Sequence, residues 1–465
     1  MADFVILKTQ KENPCLHLKG YRYHKKRTNQ NGSTAWRCAS YLTGNCKASV
    51  ITEGEQVRRR LHEHNHPADS AAALKDEFRG VLKDKARQSP HVAAPELYNA
   101  ELLRISQTAD RDALGELPTF NSLKDTIYRE KNKLQPPLPS SAADVDLPDH
   151  YRVTEDGRPF LVIDQSVDQR ILGFASPTGL KLIAQAHEIF LDGTFFVVPR
   201  VFDQLLTVHL SVGGRFLPCA YILLPGRSTA IYSCTLSLLK DACISAGYAS
   251  PTPTLFFTDF EQGLIQALRT VFPSAVHRGC HFHFSQRVWA AVQRLSLQTT
   301  YHEVPAVKSL VRKMVSLAFL PPPMVPRAWA VLRQDGQEAG EPNVDRLIDY
   351  FESTWMEGNF EVHQWNHNGN RGPRTNNHLE AWHRKINARV KKAHPNIYSF
   401  VDLIKKDEAL NSIHLLQLSH GGSLRARDRK WVHKDRKLEQ LESDLNNERL
   451  TMLQFLNEAK QFCGL

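Results

Sequence analysis

HEIFLDGTFFVVPRVFDQLLTVHLSVGGRFLPCAYILL, residues 187–224, decides the fold of this chain. It contains three strand-like runs, 187–198, 204–212 and 215–224, separated only by PRVFD and GG. Turn signals that short predict consecutive hairpins and antiparallel pairing. Downstream, STAIYSCTLSLLKDACISAG (228–247) carries apolar residues at helical spacing. TLFFTDF (254–260) reads as a fourth strand, EQGLIQALRTVF (261–272) as a helix starting directly after it, and AVHRGCHFHF (275–284) as a fifth strand.

Three acids sit at telling places on this frame. Asp192 follows the run IFL, Asp259 follows TLFFT, and Glu380 lies in TNNHLEAWHRKIN (375–387), which reads as a helix. Each alone has an ordinary explanation: a turn at Asp192-Gly193, a helix cap at Asp259, a surface residue at Glu380. Together, two strand-end aspartates and a helix glutamate can converge on a pair of divalent ions. Carboxylates are hard oxygen ligands that suit Mg²⁺ or Mn²⁺. Such a pair serves phosphodiester cutting and joining.

The element order resembles that of a ribonuclease H-like core, with the first acid on the first strand, the second at the end of the fourth and the third on a helix after the fifth. About 90 residues separate the fifth strand from Glu380, but runs such as PAVKSLVRKMVSLAFL (305–320) and NVDRLIDYFESTWM (343–356) are helical, so an insertion is expected rather than a loop. The expected fold is therefore a multidomain α+β and α/β chain. A ribonuclease H-like core, with a mixed five-stranded sheet and helices, is interrupted by an all-helical insertion and preceded by a small zinc finger and a helical segment. The expected boundaries are a finger over 4–67, a helical segment and linker over 68–149, and a first core part over 150–284. The insertion then spans 285–373, the helix with the third acid 374–400, and a helical C-terminal region 401–465.

The zinc finger rests on Cys38, Cys46, His64 and His66, spaced C-x7-C-x17-H-x-H. Two thiolates and two imidazoles make a closed tetrahedral site, suited to structural Zn²⁺ and offering no open position for catalysis. A module this small needs such a staple. His62 is a weaker competitor for His64. Residues 1–67 hold twelve Lys and Arg against five Asp and Glu. Lys25, Lys26, Arg27 and Arg37, with Lys47 and Arg58–Arg60, lie beside Tyr21, Tyr23 and Trp36, and cations among aromatics fit a DNA-contacting surface.

Composition points the same way. The 465 residues carry a formal net charge of +10, which favours a polyanionic partner, nucleic acid first. The longest apolar stretch, FLPCAYILLP (216–225), is about half a membrane span. MADFVILKTQKE has no basic region leading an apolar core, so a soluble, intracellular chain is expected. The eight cysteines then read as free thiols and metal ligands rather than a disulfide framework.

Two resemblances sharpen this. GYRYHKKR (20–27), WRC (36–38) and HEHNHP (62–67) resemble the FLYWCH-type zinc finger over residues 4–67. IFLDGTFFVVP (189–199), LPCAYILLPGRS (217–228), FTDFEQGLIQALRTVFP (257–273), GCHFHFSQRVW (279–289) and RTNNHLEAWHRKIN (374–387) look like the transposase domain of Mutator-like elements. The resemblance implies a cut-and-paste DNA transposase with Asp192, Asp259 and Glu380 as its triad. It also implies double-stranded DNA as partner, a homo-oligomer on that DNA and a nuclear location, with basic clusters at 24–27 and 421–437 as weak import signals. Arg384, Lys385, Arg389, Lys391 and Lys392 follow the third acid and would track phosphates. The family's C-x2-H motif falls on Cys280 and His283, whose role stays open. The alternative is a transposon-derived DNA-binding regulator without catalytic activity.

Overall fold

The structure, a computed structural model, describes residues 4–9, 13–89, 92–133, 136–166, 169–375, 377–390, 393–422 and 429–463. Lys391, Lys392 and residues 423–428 of the basic run at 421–437 lie outside the described residues. The chain divides into two compact units, Met1–Pro137 and Leu138–Leu465.

The first unit begins with a six-stranded antiparallel sheet in sequential order: β1 (Val5–Lys8), β2 (Pro14–Leu18), β3 (Tyr21–Thr28), β4 (Thr34–Cys38), β5 (Ser49–Glu53) and β6 (Gln56–Leu61). Lys19 and Gly20, both at positive φ (50° and 76°), make the two-residue turn that joins β2 to β3. Leu16, Leu18, Tyr23, Trp36 and Val50 close a small core on one face. Helices Ala72–Gln88, Ala94–Ser106 and Phe120–Asn132 follow. They bury Phe78, Leu82, Leu97, Ile105, Leu123 and Ile127 against one another.

The second unit is built on β7 (Leu161–Gln165), β8 (Ile171–Phe174), β9 (Glu188–Thr194), β10 (Gln204–Val212), β11 (Arg215–Leu224), β12 (Leu255–Thr258) and β13 (Val276–Gly279). They run in the order β13-β12-β9-β10-β11-β8-β7. β12 lies parallel to β9 and β13, while β9, β10, β11, β8 and β7 pair antiparallel. The expectation of five strands is thus corrected to seven. β7 and β8 precede the first acid and extend the β11 edge. They are five and four residues long, and β8 is buried along its whole length, so it shows no alternation to read.

Alternation along β9 sorts the sheet's two faces. Ile189 and Leu191 face a core shared with helices Pro177–Gln185, Thr229–Ser245 and Gln262–Val271. Phe190 faces the other side, where helices Asn377–Arg389 and Ile397–Ser419 contribute Leu379, Trp382, Ile386, Phe400 and Val401. The helices between 281 and 365 form a third core with Leu438, Leu441, Phe455 and Leu456 of the last two helices. Val145 and Leu147, read above as linker, are buried in the second unit. Among the described residues no helix is long and apolar enough to cross a membrane.

A further correction concerns 275–284. β13 stops at Gly279, and a helix, His281–Arg294, begins at once with Cys280 as its cap. The alternation in HFHF imitates a strand. The buried set, His281, Phe284, Ser285 and Val288, has helical spacing instead.

Candidate functional site

In the finger, β4 ends at Cys38, the following loop supplies Cys46, and the segment after β6 supplies His64 and His66. Their ligand atoms all lie within 4.8 Å of one another. Cys38 Sγ is 3.2 Å from His66 Nε2, Cys46 Sγ 3.5 Å from His64 Nδ1, and the two histidine nitrogens 3.3 Å apart. A tetrahedron with metal bonds of about 2.0–2.3 Å has edges of about 3.3–3.8 Å, so the spacing fits zinc. The far nitrogens are engaged as well. A metal on Nδ1 of His64 leaves the proton on Nε2, 2.7 Å from Tyr23 Oη, and His66 Nδ1 sits 3.0 Å from the Pro67 carbonyl. Such bonds fix ring orientation at a metal centre. Tyr21 stacks on His64 with ring centres 3.6 Å apart. His62 is exposed and outside the cluster.

Of the finger's aromatics, Tyr23 and Trp36 are buried and Tyr21 is half-buried. Trp36 is 3% exposed and donates its Nε1–H to Thr52 Oγ1 at 2.9 Å. Lys25, Lys26 and Arg27 are exposed on β3, where a register shift between Lys25 and Arg27 interrupts the ladder. Arg37 lies half-buried, its guanidinium 5.3 Å from the Tyr41 ring centre.

In the second unit, β9 and β12 pair in parallel with Phe257 opposite Phe190. The same register carried two residues further sets Asp259 beside Asp192, on one face, with neighbouring strands about 4.8 Å apart. That face is covered by helix Asn377–Arg389: Leu379 packs on Phe190 and Phe257, and His378 stacks on Phe216 at 4.2 Å. Glu380 and His383, three residues apart on one helical face, are thereby brought to the strand ends. His383 Nδ1 stands 3.6 Å from Asp192 Oδ2. Asp192-Gly193 lies within β9 and is not a turn. A Cβ on Gly193 would meet Gln204 Nε2 at 1.9 Å, so the glycine admits that side chain.

The electrostatics show how close the acids are. Burial, then the charge of Asp259 and, further down, that of Glu380 push Asp192 up to about 8, against only the Gly193 N–H in the other direction. Asp259 Oδ1 accepts from the Glu261 N–H at 3.2 Å, so it also steadies the start of helix Gln262–Val271. The C-x2-H motif divides. Cys280 is fully buried as the helix cap, while His283 lies near Asp259 and Glu380. Burial lowers the His283 pKa and those two carboxylates partly offset it. His383 is pushed down to about 4 by burial and by His283. Among the described residues the three acids are not a cluster with all ligand atoms within 4.8 Å. Oxygens on one Mg²⁺ at about 2.1 Å would be no more than about 4.2 Å apart.

Two family models match the chain. Residues 6–66 match the FLYWCH zinc finger domain. Residues 189–287 match the MULE transposase domain. No curated protein matches it. Both resemblances read from the motifs are thus borne out, and they mark a transposase-related protein whose finger and transposase domain support DNA as partner. The finger match contains all four zinc-ligand candidates, and its model with the Cys/His cluster points to Zn²⁺. The transposase match contains Asp192, Asp259, Cys280 and His283, but Glu380 lies beyond it.

Beyond the matched domain, the helix that carries Glu380 is tied to a buried acid that gave no signal in the sequence. Asp407, fully buried on helix Ile397–Ser419, accepts from Trp382 Nε1 at 2.7 Å, Lys385 Nζ at 2.9 Å and Tyr221 Oη at 3.1 Å. Arg389 lies 3.6 Å away. Lys385 and Arg389 thus lie beside an internal acid while their side chains stay partly exposed. Arg384 is exposed. Asp407→Ala strands Lys385 and two buried donors, and should lower unfolding free energy by about 3–5 kcal/mol. Urea unfolding checks this; a loss below about 1 kcal/mol would contradict the anchoring role.

Proposed function

We propose that this chain is a DNA transposase of the Mutator-like type, with a ribonuclease H-like core and a zinc finger that binds double-stranded DNA. The observation that carries the reading is the convergence of Asp192, Asp259 and the Glu380 helix, with Asp192 driven up to about 8 by burial and its two acidic neighbours. Element order supports it too: three antiparallel strands, a helix, a strand, a helix and a strand follow one another from β9 to β13. Glu380, Asp192 and Asp259 would hold the catalytic cations, Mg²⁺ or Mn²⁺. When bound, such a pair activates the attacking oxygen, water first and then a 3′-hydroxyl, and neutralises charge on the leaving one.

The chain's own residues prepare that site. The β9–β12 pairing sets two carboxylates side by side. Asp407 holds the helix that brings the third. His383 is kept neutral by burial, so it orients Asp192 without competing for its charge. Lys25, Lys26, Arg27, Arg37 and Arg384 are the cations proposed to meet DNA. The reaction takes place in the nucleus, with two element ends held in a homo-oligomer.

The test is a search for terminal inverted repeats flanking the coding sequence in its genome, followed by incubation with DNA bearing them. Nicks at the repeat ends should appear with Mg²⁺ and vanish with a chelator. Binding that depends on the finger, with no cutting under any divalent ion, would favour the regulator reading instead.

Acid clustering also makes a stability prediction. Unfolded Asp192 loses its proton near its ordinary 3.8, the folded group near 8. Between those values the metal-free fold holds an extra proton, so its stability falls as pH rises and levels off above about 8. Asp192→Asn carries no such proton. Its melting temperature in metal-free buffer should exceed that of the native chain by a margin that widens from about pH 6 to about pH 8 and shrinks with Mg²⁺. A margin that ignores pH would contradict the clustering.

A further inference from the structure

We propose that the finger and the helix that follows it, Ala72–Gln88, together form a groove for the phosphate backbone of double-stranded DNA. This deepens the DNA-binding reading and rests on it. The helix lies beyond the segment that matches the finger model, yet it packs beside β1 and β3.

Asp76 clamps the helix in place. Its side chain is nearly buried and receives a fork from Arg22, with Nε 3.0 Å from Oδ2 and Nη2 3.2 Å from Oδ1. His17 Nε2 lies 3.2 Å away, and Arg22 Nη2 also donates to the Ala72 carbonyl at 3.1 Å. A two-pronged pair fixes orientation as well as distance. Charges on the helix and on β3 therefore keep their relative positions.

Between the two elements runs an open groove of about 780 Å³. Arg22 and Asp76 form its floor, Lys25, Lys26 and Arg27 one wall, and Arg79 the other. It continues into a recess that shares Asp76 and Arg79 and adds Lys8, Lys83 and Arg87. Across both, eight Lys and Arg face two Asp, with Arg22 and Arg79 paired to Asp76 and Arg87 bound to Asp84 at 3.5 Å and to Glu130 at 2.6 Å. Arg79 and Lys83 lie four residues apart on one helical face, about 6 Å along the axis. A DNA strand offers one phosphate per about 3.4 Å of axis, so these two span about two. Cations on both walls fit a polyanionic chain.

Gly80 sits between Arg79 and Lys83, and a Cβ there would meet nothing within 4 Å. A side chain at this point enters the groove without disturbing packing. The test is therefore a charge swap at one open position: Gly80→Lys and Gly80→Glu in the full, zinc-loaded chain. Binding of a short fluorescent DNA duplex is read by anisotropy over a salt series, without Mg²⁺. Gly80→Lys should tighten binding about fivefold and Gly80→Glu weaken it about fivefold. The slope of log affinity against log salt should steepen by about 0.9 for the lysine variant. Both residues are good helix formers, so matching melting curves separate charge from folding. Arg58→Ala with Arg59→Ala, on β6 at the far edge of the sheet, is the positional control and should shift the slope less than the groove variants. Equal affinities for the two Gly80 variants would overturn the groove, as would a charge effect seen with duplex RNA and absent with DNA. No cutting is measured, so failure here leaves the cleavage assay standing, and a chain that never cuts still tests the groove.

Discussion

Asp259→Asn should abolish metal-dependent DNA cleavage while DNA affinity stays within about twofold of the native chain. The substitution is nearly isosteric, and the amide oxygen can still accept from the Glu261 N–H, so helix Gln262–Val271 keeps its start. What is lost is one negative charge at the end of β12, beside Asp192. Charge neutralisation by metal is worth several kcal/mol in the transition state. A loss of about 4 kcal/mol is about a thousandfold in rate, so cutting should fall at least that far. Nicking rate, duplex anisotropy and a thermal melt on the same preparation separate chemistry from binding and folding. Cleavage at the native rate would remove Asp259 from the mechanism.

The second large effect belongs to the finger. Cys46→Ser should expel zinc, unfold residues 4–67 and lower DNA affinity at least about a hundredfold. Cys46 is 1% exposed and packs with Cys38 and Ala48, and the finger's main core is small: Phe4, Leu16, Leu18, Tyr23, Trp36 and Val50. A module with so little apolar burial leans on its metal, whose binding free energy of about 10–16 kcal/mol is its folding free energy. Cys15→Ser is the control. Cys15 is equally buried on β2 but is not one of the four clustered ligands, so zinc should be retained. Zinc content by metal analysis and the anisotropy titration decide the matter. A finger that stays folded and binds DNA without zinc would refute the staple.

These residues also show what the sequence made legible and what it did not. The zinc ligands could be found because cysteine and histidine at that spacing have few other uses. Asp192 and Asp259 drew notice because each follows an apolar run, although β9 continues past Asp192 to Thr194. β7 and β8 escaped because four or five residues buried along a strand carry no period. His383 and Asp407 escaped for a different reason. A histidine or aspartate on a helix has no address until tertiary packing supplies one, and Asp407 meets Tyr221 across 186 positions of chain. Tyr23 and Trp36 lie in the finger's core although cations surround them in sequence, a burial that follows from packing and not from the run itself.

The central claim is that Asp192, Asp259 and Glu380 hold a pair of cations. Anomalous diffraction from crystals of the zinc-loaded chain soaked in Mn²⁺ measures this most directly. The account predicts two peaks about 4 Å apart, each about 2.2 Å from carboxylate oxygens of these three residues, and their loss in Asp192→Asn. A site without Mn²⁺, or peaks that persist unchanged in that variant, would contradict it.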